Sequence, residues 1–363
     1  MRAFLLGLLL ALAAPARAES WCAQPLYVHE WGVHVFGADG KPLPVAWTPP
    51  WFHSSSTPAG PLAPVRDLPA DSGVRALPVM HFYAGAGFGG PIPIGLEVGF
   101  TGGSATRWYP GVDRLVPGGP KQLVWDRLEL SRQPRIQPHT NDTRWIASAR
   151  ALDALWVERP GESERFAFYE AQTVEPSPLV IARAPDWKQG LPRYVVENRG
   201  RFPVHDVVLL DVKAGPGVTT GVAWSARIER IDPGARATVT YDDRRIDYGA
   251  FTDALRLALT DGTRPQPPAA GEWSMGPSGE CVTMRKPAEA FEHAAGHGLY
   301  QAEVELVLET WGGRFFAPGN RILYREDTAA LDAAMPIALY TDMYHFIDLH
   351  RLGLAVQEGV TFP

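Results

Sequence analysis

The chain has 363 residues, 45% hydrophobic and 20% charged, the balance of a folded protein with a core to bury, which excludes a disordered chain. A formal net charge of −6 lacks the basic surplus of a nucleic-acid binder. Glycine (36 residues) and proline (34) make up about a fifth of the chain, against roughly 12% on average, which disfavours a mainly helical fold and favours many short strands.

Met1-Arg2, an apolar run from Ala3 to Ala14 and the small-residue site Ala16-Arg17-Ala18 read as a secretory signal over residues 1–18. The run is shorter than the ~20 residues a spanning helix needs, so a periplasmic or secreted protein without a transmembrane anchor is expected. Only two cysteines follow, Cys22 and Cys281. In an oxidising compartment such a pair reads first as a disulfide, with buried free thiols or a shared metal site as alternatives. The chain-entropy account allows the bridge about 5 kcal/mol as an upper figure.

Residues 19–158 form a β-rich N-terminal region. Leu26–Trp31 and Val79–Tyr83 are strand candidates rich in β-branched and aromatic residues, and Ile94–Phe100 and Leu123–Leu130 alternate in part with period two. Between them, residues 40–78 hold too many prolines for a ladder and read as a long surface excursion carrying Trp47 and Trp51. Residues 159–262 offer strands at Phe166–Tyr169, Leu179–Ala182, Arg193–Glu197, Val207–Asp211, Ala223–Ile231 and Ala237–Tyr241, with a turn at Asp232-Pro233-Gly234. That spacing suggests a β-sandwich. Residues 263–363 change period. A helix is expected from Pro287 to Gly298, and a second where Tyr300, Val304, Val307, Leu308 and Trp311 share a face and Gly312-Gly313 stops it. Strands at Arg321–Tyr324 and His345–Val356 close the chain. The expected fold is mainly β: an N-terminal β-rich region, an Ig-like sandwich, and a C-terminal helix-plus-strand segment packing on the N-terminal region.

Two resemblances follow from these strings. The run VVENRGRFPVHDVVLLDV and the later RIERIDPGARATVTY resemble the Ig-like modules of bacterial surface proteins. YVHEWG, LEVGFTGGSATRWYP, RFAFYEA, GLYQAEVELVLETWGGRFF and RILY, in that order, resemble an uncharacterised family of exported bacterial proteins that opens on V-H-E-W-G. The second resemblance spans most of the chain after residue 18, least over 40–78. It implies export and a shared fold, singles out His29, Glu30 and Trp31, and implies no reaction. Where that family carries T-F-T after the motif, this chain has Val33-His34-Val35.

No complete catalytic set can be assembled from the residues. His29-Glu30 and His34 superficially suggest the zincin helix, but its histidines are four apart and these are five apart. On a strand, His29 and Trp31 share one face and Glu30 takes the other. A core histidine and carboxylate tied to their neighbours is the plainer reading. His293 and His297 have helical metal-ligand spacing, though Gly296 weakens the helix between them. Met80-His81, Met343, His345 and His350 bring together donors that copper accepts, scattered along the chain. The glycine run at 85–90 is followed by Pro91 and Pro93, so it cannot open the helix a dinucleotide motif requires.

Two functions of different classes are therefore expected. One is a non-catalytic envelope protein that binds a glycan or a protein partner through the sandwich edges and Trp47 and Trp51. The other is a zinc or copper protein, with a metal-dependent enzyme among its forms, centred on His29, Glu30 and His81, with His293 and His297 as a further metal pair. The metal reading requires His29 and His81 to lie on neighbouring strands, side chains within about ten ångströms.

Overall fold

The computed structural model describes residues 26–43, 48–49, 51–55, 73–84, 91–115, 121–140, 144–173, 175–185, 192–215, 218–225, 227–246, 273–275, 281–283, 299–341 and 347–362. The segment 1–18, Cys22, Trp47, the helix expected at 287–298 with His293 and His297, and the side chain of Cys281 lie outside these residues.

The N-terminal strands are β1 (Leu26–Phe36), β2 (His53–Ser54), β3 (Gly73–Ala84), β4 (Ile92–Gly99), β5 (Ser104–Tyr109), β6 (Arg114–Leu115) and β7 (Gln122–Ser131). After helix α1 (Arg144–Ala151) come β8 (Trp156–Arg159), β9 (Glu162–Glu164), β10 (Ala167–Thr173), β11 (Leu179–Arg183), β12 (Arg193–Asn198), β13 (Val204–Gly215), β14 (Val218–Ser225), β15 (Ile228–Ile231) and β16 (Arg236–Ile246). The last part holds β17 (Trp273–Met275), β18 (Cys281–Thr283), helix α2 (Gln301–Phe315), β19 (Gly319–Glu326), helix α3 (Thr328–Ala334), β20 (Ile337–Tyr340) and β21 (Ile347–Glu358). Among the described residues, one large sheet runs β11-β12-β16-β14-β13-β19-β21-β1-β3-β10-β5-β2, with β15 beside β13. A second runs β20-β4-β7-β8-β9 with β6 on β7, and β17 and β18 pair by themselves.

The arrangement is layered, and β1 is its centre. Every residue of β1 except Gly32 is buried, because both faces of the large sheet are covered. Tyr27, Trp31, Val33 and Val35 pack with Trp145 and Ile146 of α1 and Val304, Val307 and Trp311 of α2. Leu26 and Val28, on the other face, join Leu96 and Val98 of β4 and Trp125 and Leu128 of β7, so the second sheet is the other cover. β21 runs parallel to β1 and β3 antiparallel to it. The β1–β3 register shifts between Trp31 and Val33, where β3 carries Pro78, which has no N–H for the ladder.

The fold is mainly β, as the composition and punctuation lead one to expect. Leu179, Tyr194 and Val196 share a core with Val204, Val207, Leu209, Ile231 and Val239, which makes β11–β16 a sandwich-like unit. That unit is continuous with the large sheet through the β13–β19 pair. The strand expected at Phe166–Tyr169 lies as β10 between β3 and β5 of the N-terminal part, away from the sandwich with which its position in sequence groups it. The single strand expected at Ala223–Ile231 is two, β14 and β15, which pair with different stretches of β13. Helix α2 does not stop at Gly312-Gly313 but runs on to Phe315, whose buried ring, with that of Phe316, holds the last turn against the core. The C-terminal segment docks on the N-terminal part by sheet pairing, β21 to β1.

Candidate functional site

His29 sits at the middle of three adjacent strands, opposite His81 of β3 on one side and His350 of β21 on the other. In a ladder, opposed residues project to the same face. Here that face lies under the N-terminus of α2: the His29 ring is 4.6 Å from that of Tyr300, 5.2 Å from Tyr83 and 5.5 Å from His350, centroid to centroid. The expected neighbourhood of His29 and His81 is therefore present.

Glu303, in the first turn of α2 and wholly buried, reaches into this row. Its Oε2 accepts the Tyr300 amide at 2.8 Å and faces His29 Nδ1 at 2.6 Å. Burial pushes the Glu303 carboxyl up, but His29, His81 and the Tyr300 amide together outweigh it and leave the group below its usual value. The carboxylate also faces the positive end of the helix dipole. His81 Nδ1 lies 3.1 Å from the Arg165 carbonyl, and its ring stacks 6.4 Å from Trp31. Burial lowers the His81 pKa, so this imidazole is neutral. The Tyr83 phenol is pushed well up by burial and then by Glu303 beside it. His29 Nε2, His81 Nε2, Tyr83 Oη and Glu303 Oε1 are all buried and none completes a hydrogen bond of ordinary geometry. Among the described residues, no group of three or more His, Cys, Asp or Glu side chains converges to hold a metal ion.

Glu30, expected to join His29 and His81 around a metal, points to the other face of the sheet. There it receives Arg351 through Nε and through Nη2 (3.1 Å), and the Tyr169 hydroxyl. Arg351 also bonds Asp332 (2.7 Å) and the Met335 carbonyl (2.9 Å). Burial pulls the Arg351 guanidinium down, and Glu30, Tyr169 and Asp332 together more than reverse it. Glu30 is committed to a buried ion pair, and a strand cannot turn it toward the histidines.

A second place is open to solvent. A cleft of about 360 Å³ is lined by Tyr109 of β5, by Gln137, His139 and Thr140 of the segment after β7, and by Glu162 and Ser163 at the β8–β9 turn. Glu162 is held by two partners, His53 Nε2 at 2.5 Å and the Gly111 amide at 2.8 Å. Burial raises its carboxyl, but these two bonds win and leave it below its usual value. Tyr109 is pushed above the usual phenol range by burial first and by Glu162 next. Trp51, expected as a ligand platform, lies flat against His139 (4.3 Å between centroids, 15° between planes) and edge-on to Tyr109 (5.0 Å). It is half-buried and packs on the core, so it fixes its loop to the sheet and braces His139. His53, His139, Tyr109 and Glu162 come from four separate segments, and no spacing in the sequence announces them. The Pro160-Gly161 turn, with Gly161 at φ 86°, is the one local signal near them.

No helix among the described residues is long and apolar enough to cross a membrane. No family model matches the chain, and no curated protein matches it. Among solved structures it is similar to the yeast delta-COP-I mu-homology domain, alone and complexed with a Dsl1 WxWxV peptide. Each match is at 8% identity over 93% of this chain and 96% of that one, with a TM-score of 0.29.

Proposed function

We propose that the protein is an exported envelope protein that binds without catalysis, taking a glycan in the cleft between Tyr109, His139 and Glu162. The carrying observation is the lining itself: a carboxylate, an imidazole, an amide and hydroxyls around one opening, with His139 braced by Trp51. Sugar hydroxyls both donate and accept, and the ring faces of sugars pack on aromatic surfaces, so this mixture suits a saccharide better than an apolar ligand. The volume is at the lower end for a small-molecule site, room for a short stretch of sugar. Glu162 is anionic at neutral pH, which favours neutral or amino sugars over acidic ones.

A glycan array with the purified chain, followed by calorimetry on the hits, tests this reading. Saccharide binding is expected, weakened at least about tenfold (1.4 kcal/mol) in His139→Ala and in Glu162→Gln with the circular-dichroism spectrum unchanged. An array without hits, or hits indifferent to both substitutions, overturns it.

A further inference from the structure

A neutral imidazole has one N–H and one lone pair, and its neighbours reveal which nitrogen carries which. His29 Nδ1 lies 2.6 Å from Glu303 Oε2, an oxygen that already accepts the Tyr300 amide, so the proton is on Nδ1. His81 Nδ1 faces a backbone carbonyl, which only accepts, so it is the same tautomer. In the neutral rings both Nε2 atoms present bare lone pairs. Both are sealed from solvent and neither meets a donor. Leaving one buried acceptor unpaired costs about 1–3 kcal/mol, and two on directly opposed residues of neighbouring strands call for a reason. A histidine that ligates a metal typically has this arrangement, Nδ1–H on a carboxylate or carbonyl and Nε2 toward the ion.

We infer that Nε2 of His29 and Nε2 of His81 are the imidazole ligands of a buried transition-metal site for zinc or copper(II), with Tyr83 as the oxygen donor beside them. The Tyr83 ring is 5.2 Å from that of His29 and 6.4 Å from that of His81, and its hydroxyl, engaged with the Glu303 carboxyl, keeps an oxygen lone pair to offer. Two imidazoles and a phenol oxygen are donors that zinc and copper both accept. Glu303 orients His29 from behind, and Glu30 takes no part. The site ties β1 to β3 beneath α2, so it strengthens the middle of the fold. It stands independently of the glycan cleft.

Because the atoms are sealed, loading accompanies folding. The ion-stripped full-length chain is unfolded, refolded with Zn²⁺, with Cu²⁺ or with neither, dialysed, and analysed for metal. One ion per chain is expected, with paramagnetic resonance of the copper form showing coupling to two nitrogens. His29→Gln and His81→Gln are each expected to lose stoichiometric binding, whereas His205→Gln, whose imidazole pairs with Asp327 at 2.9 Å, keeps it. No bound ion under either metal overturns the inference and leaves a bridging water as the partner of the two lone pairs. Retention of the ion in a folded His29→Gln/His81→Gln chain overturns it too. If neither variant folds, the stoichiometry and nitrogen couplings of the unsubstituted chain still decide.

Discussion

Placing a carboxylate where no water reaches costs several kcal/mol, and the cost is met only if a counter-charge and hydrogen bonds surround it. Glu30 satisfies that condition through Arg351 and Tyr169, with Asp332 and the Met335 carbonyl holding the far side of the guanidinium. Removing one partner strands the other. Glu30→Gln is therefore expected to destabilise the chain by about 3–5 kcal/mol, read as a lower urea midpoint at unchanged slope. Replacing the pair together by apolar residues, Glu30→Leu with Arg351→Met, is expected to cost less than the single change, since no orphaned charge remains. The alternation of a strand made the opposite facing of His29 and Glu30 legible in the sequence. The partners of both were not, because Glu303 and Arg351 lie 274 and 321 residues away.

Elements were legible where local pattern and tertiary demand agreed. β7, β12, β13 and β19 lie where β-branched and aromatic alternation puts them, within about four residues. β1, by contrast, runs on past Trp31 to Phe36, and β3 begins at Gly73, inside the stretch expected to be a surface excursion. Disagreement came where distant packing overrode punctuation. Two glycines would ordinarily end a helix, yet α2 continues through them because Phe315 and Phe316 find buried places beyond. Gly313 is exposed, and a Cβ built on it meets nothing within 4 Å. Gly313→Ala is thus expected to raise stability by roughly 0.8–1 kcal/mol, seen as a higher melting temperature. A lower melting temperature would mean that this last turn is not helical in solution.

At the level of the whole molecule, the mainly β character followed from composition, but the order of strands did not, because pairing is set by contacts that no window of sequence contains. β21 lies between β19 and β1 and pairs along the full length of β1. It contributes Leu352 and Val356 to the helix-side core. A chain ending before Ile347 would expose the centre of the large sheet, and its loss of cooperative unfolding and its recovery in the insoluble fraction are the expected outcome. A soluble, cooperatively melting truncation would show that β21 is dispensable. The cleft is a whole-molecule feature as well, assembled from loops around sheet ends. The parallel pairing of β1 with β21 also sets a timetable. At ribosomal rates of roughly 5–20 residues per second, the first strand waits on the order of tens of seconds before its last neighbour exists. Throughout that interval one of its edges has no native neighbour, which makes the nascent chain a natural client for holding factors and keeps it unlocked until β21 has been made.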